Sequence, residues 1–230
     1  MGITRWGPPT ELITKLLTEF PIENLVETGT YKGSTAVWAS RYFKNVLTIE
    51  YSEELYEKVT DEFRHISNIE FIFGDSKTEL SKLLERLEGS SIFWLDAHWC
   101  GGSTYGDNDE CPLIEEIEIL NRSKFENFIF IDDARLFTSP PPGSHKVEQW
   151  PDITAVINAL QSGKSHRYVV IIEDVTIAVP IFARATVAQY CQDVNNKTWE
   201  ERMRQLKTSN IEKVIQLIYQ SLKLKLRFSS

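Results

Sequence analysis

The sequence predicts an α/β protein built on a doubly wound, seven-stranded sheet that is mostly parallel and ends in an antiparallel hairpin. Short apolar runs alternate with longer amphipathic segments, as they do in repeated β-α-β units. The first five apolar runs are nearly continuous, which is typical of parallel strands buried on both faces. The last two runs are separated only by Glu173-Asp174-Val175, and a connection this short joins antiparallel strands.

The elements follow from this pattern in chain order. The predicted strands are Asn24–Thr28, Val46–Glu50, Ile69–Phe73, Ile92–Asp96, Phe128–Asp132, Arg167–Ile172 and Thr176–Phe182. The predicted helices are Thr10–Phe20, Ser34–Tyr42, Glu53–Ile66, Lys77–Leu87, Pro112–Leu120, Ile153–Leu160, Trp199–Leu206 and Ile211–Leu222. Ser52 is the expected N-cap of one helix, Gly89 and Gly163 end two others, and the prolines of Thr138–Gly143 predict a loop. A core of about residues 22–183 thus follows the N-terminal helix (residues 10–20) and precedes a helical extension over residues 186–227.

The composition is that of an ordinary globular protein. Of the 230 residues, 42% are hydrophobic and 25% charged, which excludes disordered, collagen-like and coiled-coil classes. The formal net charge is −8, so no nucleic-acid partner is expected. Three cysteines, Cys100, Cys111 and Cys191, are too few for a disulfide framework and have no zinc-ligand spacing. Because no signal peptide or membrane-spanning run is recognisable, we expect a cytoplasmic protein with no membrane partner.

The turn after the first strand is the strongest candidate for a ligand site. Ligands of open α/β sheets bind at the carboxyl ends of the strands, near the point where the strand order reverses. The first strand ends here in Glu27-Thr28-Gly29-Thr30-Tyr31-Lys32-Gly33-Ser34-Thr35. Gly29 and Gly33 permit a tight turn that approaches a ligand closely, and Ser34 and Thr35 begin a helix whose first N–H groups are unpaired. The alternative is that the two glycines serve only the close packing of a helix on the sheet.

Acidic residues end the first three predicted strands. Glu50 follows Gly33 by 17 residues and can accept two hydrogen bonds from a ribose diol. Asp75, with Ser76 beside it, suits a hydrogen bond to the exocyclic amine of an adenine. Together with Glu27, these carboxylates repel a pyrophosphate and attract a cationic ligand. They favour the sulfonium and amino groups of S-adenosylmethionine over NAD.

On these residues the chain resembles the class I S-adenosylmethionine-dependent methyltransferases. The resemblance spans about residues 25–183 and includes the E-x-G-x-x-x-G turn, the acid Glu50, the G-D-S that ends the third strand, and the terminal hairpin. It implies a Rossmann-like fold and a single methyltransferase domain over residues 1–230. It also implies that the first turn, with Thr30 and Tyr31, contacts the methionine moiety, that Glu50 contacts the ribose, and that Asp75 contacts the adenine.

A second group of acids follows the fourth and fifth strands. Asp96 and His98 follow the fourth strand, and Asp132 and Asp133 follow the fifth. Three neighbouring carboxylates are costly unless they are protonated or bind a cation, and an oxygen-only set suits Mg²⁺ or Ca²⁺. The arrangement resembles metal-dependent O-methyltransferases that act on sugar hydroxyls and natural products. It implies Asp96, Asp132 and Asp133 as ligands of Mg²⁺, and His98 with Asp96 as the catalytic residues.

Methyl transfer to a hydroxyl requires removal of its proton, since an alcohol does not ionise at neutral pH. His98, with an ordinary pKa of about 6.5, is the candidate base, and a divalent ion would acidify the hydroxyl of a small polar acceptor. The alternatives are that Asp132 and Asp133 cap a turn and that His98 merely bonds a backbone carbonyl. Residues 101–110, as a lid or pocket wall, and Phe137–Trp150 are candidate walls for the acceptor.

Two rival functions remain at this point. One is an NAD-dependent oxidoreductase, which is disfavoured because the first turn lacks the third glycine of G-x-G-x-x-G and carries Tyr31-Lys32. The other is a cofactor-binding module without catalysis. The C-terminal leucines Leu217, Leu222, Leu224 and Leu226 are expected to pack on the sheet or on another subunit, which would make a homo-oligomer.

Overall fold

The computed structural model describes residues 7–98 and 109–227, with side chains described as far as residue 206. Its strands are β1 (Asn24–Thr28), β2 (Asn45–Glu50), β3 (Ile69–Phe73), β4 (Ser91–Leu95), β5 (Phe128–Ile131), β6 (Arg167–Ile172) and β7 (Val175–Pro180). Its helices are α1 (Thr10–Glu19), α2 (Ser34–Ala39), α3 (Glu53–Phe63), α4 (Ser76–Arg86), α5 (Leu113–Leu120), α6 (Arg135–Thr138), α7 (Ile153–Gln161) and α8 (Arg184–Arg227). The predicted alternation of strands and helices is confirmed.

The strands form one sheet in the order β3-β2-β1-β4-β5-β7-β6. Strand β1 lies between β2 and β4 and is parallel to both, whereas β7 runs antiparallel to both β5 and β6. The predicted doubly wound sheet with a terminal antiparallel hairpin is therefore confirmed. Because the chain crosses from β3 past β1 to reach β4, the switch in strand order falls between the carboxyl ends of β1 and β4.

One face of the sheet packs against α4, α5 and α7. Buried residues of β1, β2, β4 and β5 share a hydrophobic cluster with residues of these three helices. Its members include Val26, Leu47, Phe93, Ile129, Leu83, Ile117 and Val156. Each such side chain contributes about 1.5–3 kcal/mol to folding on removal from water. This cluster fixes the strands that carry the candidate site.

The hairpin is tighter than the sequence predicts. Strand β7 begins at Val175, so the connection is only Glu173-Asp174, and both residues have positive φ angles of 50° and 69°. Such left-handed pairs are typical of two-residue hairpin turns whose twist matches that of the strands. Strand β7 ends at Pro180 rather than Phe182, because Ile181–Ala183 form a 3₁₀ turn.

Two further elements differ from expectation. The residues after β5 form the short helix α6, which the sequence did not predict. The extension is one continuous helix, α8, where two helices were predicted. The chain separates into two compact units, Met1–Thr186 and Val187–Ser230, and the first carries the whole sheet. The single domain over residues 1–230 and the leucine-mediated homo-oligomer stay predictions, since the side chains of Leu217, Leu222, Leu224 and Leu226 lie outside the described residues.

None of the helices in the described ranges is both long enough and apolar enough to cross a membrane.

Candidate active site

A cavity of about 460 Å³ opens at the carboxyl ends of β1, β2, β4 and β5. Every predicted site residue except Gly33 and Asp75 lines it. The lining residues that were predicted are Glu27, Gly29, Thr30, Tyr31, Ser34, Thr35, Glu50, Ser76, Asp96, His98, Asp132 and Asp133. The structure therefore brings together in one cavity two acids of the first predicted group, Glu27 and Glu50, and all three of the second, Asp96, Asp132 and Asp133.

The turn after β1 is shaped by its close approach to β4. Gly29 has a φ of 85°, and a Cβ atom there would lie 2.3 Å from the carbonyl oxygen of Asp96. Only glycine satisfies both conditions. Gly33 serves the packing alternative: it caps α2 with a φ of 73°, and a Cβ atom there would lie 3.1 Å from the Phe63 ring. Gly33 does not line the cavity, and its contact with a ligand stays a prediction.

Glu50 joins the first turn to the second strand. Its carboxylate accepts the backbone N–H of Tyr31 at 2.8 Å and that of Ser52 at 2.9 Å. These bonds hold Tyr31 in a left-handed conformation, φ 49°, that is costly for a tyrosine. Because each carboxylate oxygen has a second lone pair, Glu50 retains the capacity to bind a diol.

The turn after β3 places Gly74 and Ser76, not Asp75, on the cavity wall. Asp75 is the N-cap of α4, and its Oδ1 accepts the Lys77 N–H at 2.9 Å. A helix N-terminus competes well for a carboxylate because its first N–H groups have no partner within the helix. The contact of Asp75 with an adenine amine stays a prediction.

Glu27 is the most deeply placed acid of the cavity, with 1% of its surface exposed. The Thr48 hydroxyl donates to its Oε2 at 2.6 Å, and Thr48 Oγ1 lies 2.6 Å from Thr30 Oγ1. Burial above all, together with the charges of Asp96 and Glu50, raises the pKa of Glu27 to about 8, although the hydrogen bonds from Thr48 and Thr35 act in the opposite direction. The cavity thus holds Glu27 as a neutral acid at neutral pH.

At the ends of β4 and β5, several contacts of the cavity converge on Asp133. This residue has a left-handed backbone, φ 55°. His98 Nε2 lies 2.9 Å from Asp133 Oδ2 and 3.8 Å from Asp96 Oδ1. Arg135 donates to Asp133 Oδ1 at 2.5 Å and also to Asp174 in the turn between β6 and β7. Asp132 Oδ1 accepts the N–H of Asp133 at 2.8 Å.

These contacts separate the pKa values of the four groups. Burial works against the charged forms of His98 and Asp133, but their mutual hydrogen bond raises the pKa of His98, and with Arg135 it lowers the pKa of Asp133. Burial raises the pKa of Asp96 to about 7 and that of Asp132 to about 6. The attraction between His98 and Asp133 therefore favours their charged forms, while Asp96 and Asp132 ionise at a higher pH than ordinary carboxyl groups.

The geometry can be compared with solved structures. A protein from Staphylococcus aureus, described as a candidate caffeoyl-CoA O-methyltransferase, aligns with a TM-score of 0.53 and 16% identity over 77% of this chain and 86% of its own. A methyltransferase from Podospora anserina with bound S-adenosylhomocysteine aligns with a TM-score of 0.51 and 18% identity over 74% of this chain and 76% of its own. The chain has the fold of the class I S-adenosylmethionine-dependent methyltransferases. Neither the known family models nor the curated protein sequences match it.

The magnesium site predicted for this methyltransferase fold is not supported by the residues present. Within residues 7–98 and 109–227, no group of three or more His, Cys, Asp or Glu side chains is arranged to hold a metal ion. The physical reason lies in Asp133, since one of its oxygens is bound to His98 and the other to Arg135. Asp96 and Asp132 alone would leave a hard divalent cation with too few protein ligands.

Several residues that the sequence did not single out complete the site. Arg135 lines the cavity and neutralises Asp133. On the other side of His98, the Trp150 ring lies edge-on with centroids 5.6 Å apart, and its indole N–H donates to the buried Glu110 at 2.8 Å. The sequence could have indicated Arg135, because a basic residue follows the acidic pair Asp132-Asp133 closely. The contact of Trp150 with His98 depends on tertiary packing and leaves no local signal in the sequence.

Both predicted acceptor walls can be located only in part. Phe137 and Trp150 are buried against each other, with ring centroids 5.9 Å apart, so the ends of this segment pack beside His98. Of the predicted lid over residues 101–110, residues 101–108 lie outside the described residues, as does Cys100.

Proposed function

We propose that the protein is an S-adenosylmethionine-dependent methyltransferase that methylates a hydroxyl of a small polar acceptor. The observation that carries the proposal is the acid-lined cavity at the switch point of a methyltransferase fold. Ligands of open α/β sheets bind at this position. Buried acids that resist ionisation on their own are complementary to a cationic ligand, and a sulfonium nucleoside is cationic.

The donor is expected in the half of the cavity formed by β1 and β2. Glu50 offers its carboxylate to the ribose hydroxyls from the end of β2. The turn of Gly29, Thr30 and Tyr31 offers close backbone approach to the methionine moiety. A dinucleotide would instead bring the negative charge of its pyrophosphate into a cavity that contains the Glu50 carboxylate, which disfavours the NAD alternative.

The acceptor is expected in the half formed by β4 and β5. Transfer is a direct displacement in which the acceptor oxygen attacks the methyl carbon, the carbon–sulfur bond breaks, and the hydroxyl proton leaves. His98 is the proposed base, oriented by Asp133 through the 2.9 Å bond to Nε2. A neutral ring that donates from Nε2 carries its lone pair on Nδ1, which then receives the proton. Asp96 and Arg135 offer hydrogen bonds to further hydroxyls of a polar acceptor.

Binding is tested first, by thermal shift and calorimetry with S-adenosylmethionine, S-adenosylhomocysteine and NAD side by side. We expect both adenosyl compounds to raise the melting temperature and NAD to leave it unchanged. A response to NAD alone would favour the oxidoreductase, and no response to any of the three would contradict the proposal.

Catalysis is tested next, by release of S-adenosylhomocysteine in the presence of panels of sugars, phenols and amines. Turnover with hydroxyl acceptors that is lost in His98→Ala supports the proposed chemistry. Donor binding without turnover on any panel, unchanged by His98→Ala or Asp132→Asn, would favour a non-catalytic binding module.

A further inference from the structure

Glu27 is placed so that its charge depends on what occupies the cavity. It is almost fully buried, and the hydroxyl of Thr48 is its closest hydrogen-bond partner, at 2.6 Å. The charges that act on it most strongly are both acidic: Asp96, which follows β4, and Glu50, at the end of β2. The same cavity also contains His98, Asp132, Asp133 and Arg135. Burial and these two neighbours raise the pKa of Glu27 to about 8. A cation entering the cavity reverses this balance.

The hydroxyls around Glu27 accommodate both of its protonation states. Thr30, Thr48 and Glu27 are linked by two contacts of 2.6 Å, and either threonine of the first contact can be the donor. When Glu27 is ionised, Thr30 donates to Thr48 and Thr48 donates to the carboxylate. When Glu27 is neutral, its O–H donates to Thr48 and the direction reverses. Because hydroxyl protons rotate freely, neither state requires heavy atoms to move.

The proposed donor and its by-product differ by one charge in this cavity. S-adenosylmethionine carries a sulfonium, whereas S-adenosylhomocysteine has a neutral thioether. A sulfonium bound roughly 8 Å from the Glu27 carboxylate, in the cavity that Glu27 lines, would attract its ionised form. At an effective dielectric constant of about 20, that attraction changes an equilibrium by on the order of tenfold.

We propose that Glu27 makes the cavity select the cationic donor over its neutral by-product, because it releases its proton to solvent when the sulfonium enters and keeps it beside the thioether. The inference rests on the proposed function. The α-amino and carboxylate groups are common to both ligands, so they cancel when the two affinities are compared. Selection against the by-product would relieve the product inhibition expected when donor and by-product share a site.

The test is calorimetry of both ligands at pH 6.5, 7.5 and 8.5, in phosphate and in Tris, whose ionisation enthalpies differ. For the wild type we expect proton release that is largest near pH 7.5, at about half a proton per bound S-adenosylmethionine, and binding that is about sixfold tighter at pH 8.5 than at pH 6.5. For S-adenosylhomocysteine we expect little proton release, so the preference for the donor should grow with pH.

Three variants assign the proton. Glu27→Gln keeps the size and hydrogen bonds of the side chain, and it should bind both ligands with affinities whose ratio no longer changes with pH. Glu50→Gln and Asp96→Asn remove the other two acids that face Glu27, and each should keep the pH-dependent ratio. Circular dichroism tests whether each variant is folded. The proton release of the wild type is measured without any substitution, so it tests the proposal even where a variant fails to fold.

The outcomes separate the two proposals. Binding of S-adenosylmethionine without proton release, or a pH-dependent ratio that survives Glu27→Gln or vanishes in Asp96→Asn, would overturn the role of Glu27 and leave the methyltransferase proposal intact. Failure of either nucleoside to bind would overturn the methyltransferase proposal itself.

Discussion

Gly29 lies where the turn after β1 packs against the backbone that follows β4. Gly29→Ala places a Cβ atom 2.3 Å from the Asp96 carbonyl oxygen at a φ of 85°, so the turn must move. We expect a loss of donor binding and a fall of more than about 2 kcal/mol in the free energy of unfolding. Chemical denaturation and calorimetry measure the two effects.

Gly89 provides the matched control, because its φ of 81° is nearly the same while a Cβ atom there would meet nothing within 4 Å. Gly89→Ala should therefore cost only the left-handed strain, about 1–2 kcal/mol, with donor affinity unchanged. Equal effects of the two substitutions would show that the contact with Asp96 has no part in the role of Gly29.

The ion pair of His98 with Asp133 is a second feature of single residues, and its prediction concerns pH. A base acts in its neutral form, so activity should rise with pH through the pKa of His98, which Asp133 raises. Asp133→Asn removes that charge and should shift the acidic limb of the kcat profile to lower pH while lowering kcat. His98→Ala should lower kcat by about 10²–10⁴-fold.

His65 serves as the control for His98, since it is exposed at the turn after α3. His65→Ala should leave the profile unchanged. An acidic limb that stays in place in Asp133→Asn would show that another group titrates.

At the scale of elements, the N-cap of α4 distinguishes a structural from a ligand-binding carboxylate. Asp75→Ala removes the acceptor of the Lys77 N–H and should lower the free energy of unfolding by about 1 kcal/mol. Asp75→Ser retains a capping oxygen and should restore most of that stability. If donor affinity nevertheless falls in the serine variant, Asp75 contacts the donor as well as capping the helix, and calorimetry decides this.

The sequence predicts an element well when the residues that cause it to form are close together in the chain. The apolar runs that become β1 to β5 and the Ser52 cap of α3 are local signals, and all of them formed as predicted. Helix α6 was missed because its start depends on Asp174, whose backbone carbonyl accepts from Ala134 at 2.8 Å and whose side chain accepts from the Arg135 N–H at 2.8 Å. A contact across some forty residues has no local pattern.

The same reasoning explains the site. Acids at strand ends could be predicted to share one edge, because topology alone brings them together, and Glu27, Glu50, Asp96 and Asp132 do line one cavity. The pairing of Asp133 with His98 and Arg135 depends on a left-handed backbone and on the hairpin, neither of which the sequence reveals. Because this pairing occupies both carboxylate oxygens of Asp133, Asp133 is not available as the metal ligand that the sequence predicted.

At the scale of the whole molecule, buried acids should make the ligand-free protein less stable as pH rises. Burial raises the pKa of Glu27 to about 8 and those of Asp96 and Glu116 to about 7. These acids have higher pKa values in the native state than in the unfolded chain, where they are near 4. Their contribution to stability is therefore fully present below pH 4 and is lost as the pH rises through the native pKa values. Each tenfold difference in proton affinity between the two states corresponds to about 1.4 kcal/mol. We expect the free energy of unfolding to fall by a few kcal/mol between pH 5 and pH 8.

Urea denaturation across that range measures the slope, and Glu27→Gln should flatten it in part. Saturating S-adenosylmethionine should flatten it too, because it favours the ionised acids. A slope of the opposite sign would mean that groups with lowered pKa values, such as Asp133, dominate the pH dependence.

The reversed direction of β7 has a consequence for how this architecture can be retuned. Because β7 is antiparallel to β5, the Glu173-Asp174 turn lies beside the carboxyl ends of the parallel strands. There Asp174 accepts hydrogen bonds from the backbone and the side chain of Arg135. A segment far along the chain thus holds Arg135, which lines the cavity, while it contributes no lining residue itself. On the proposed function, we expect substitutions at these two turn positions to change the choice of acceptor through Arg135 and to leave donor affinity unchanged, so this loop is a natural target for directed evolution.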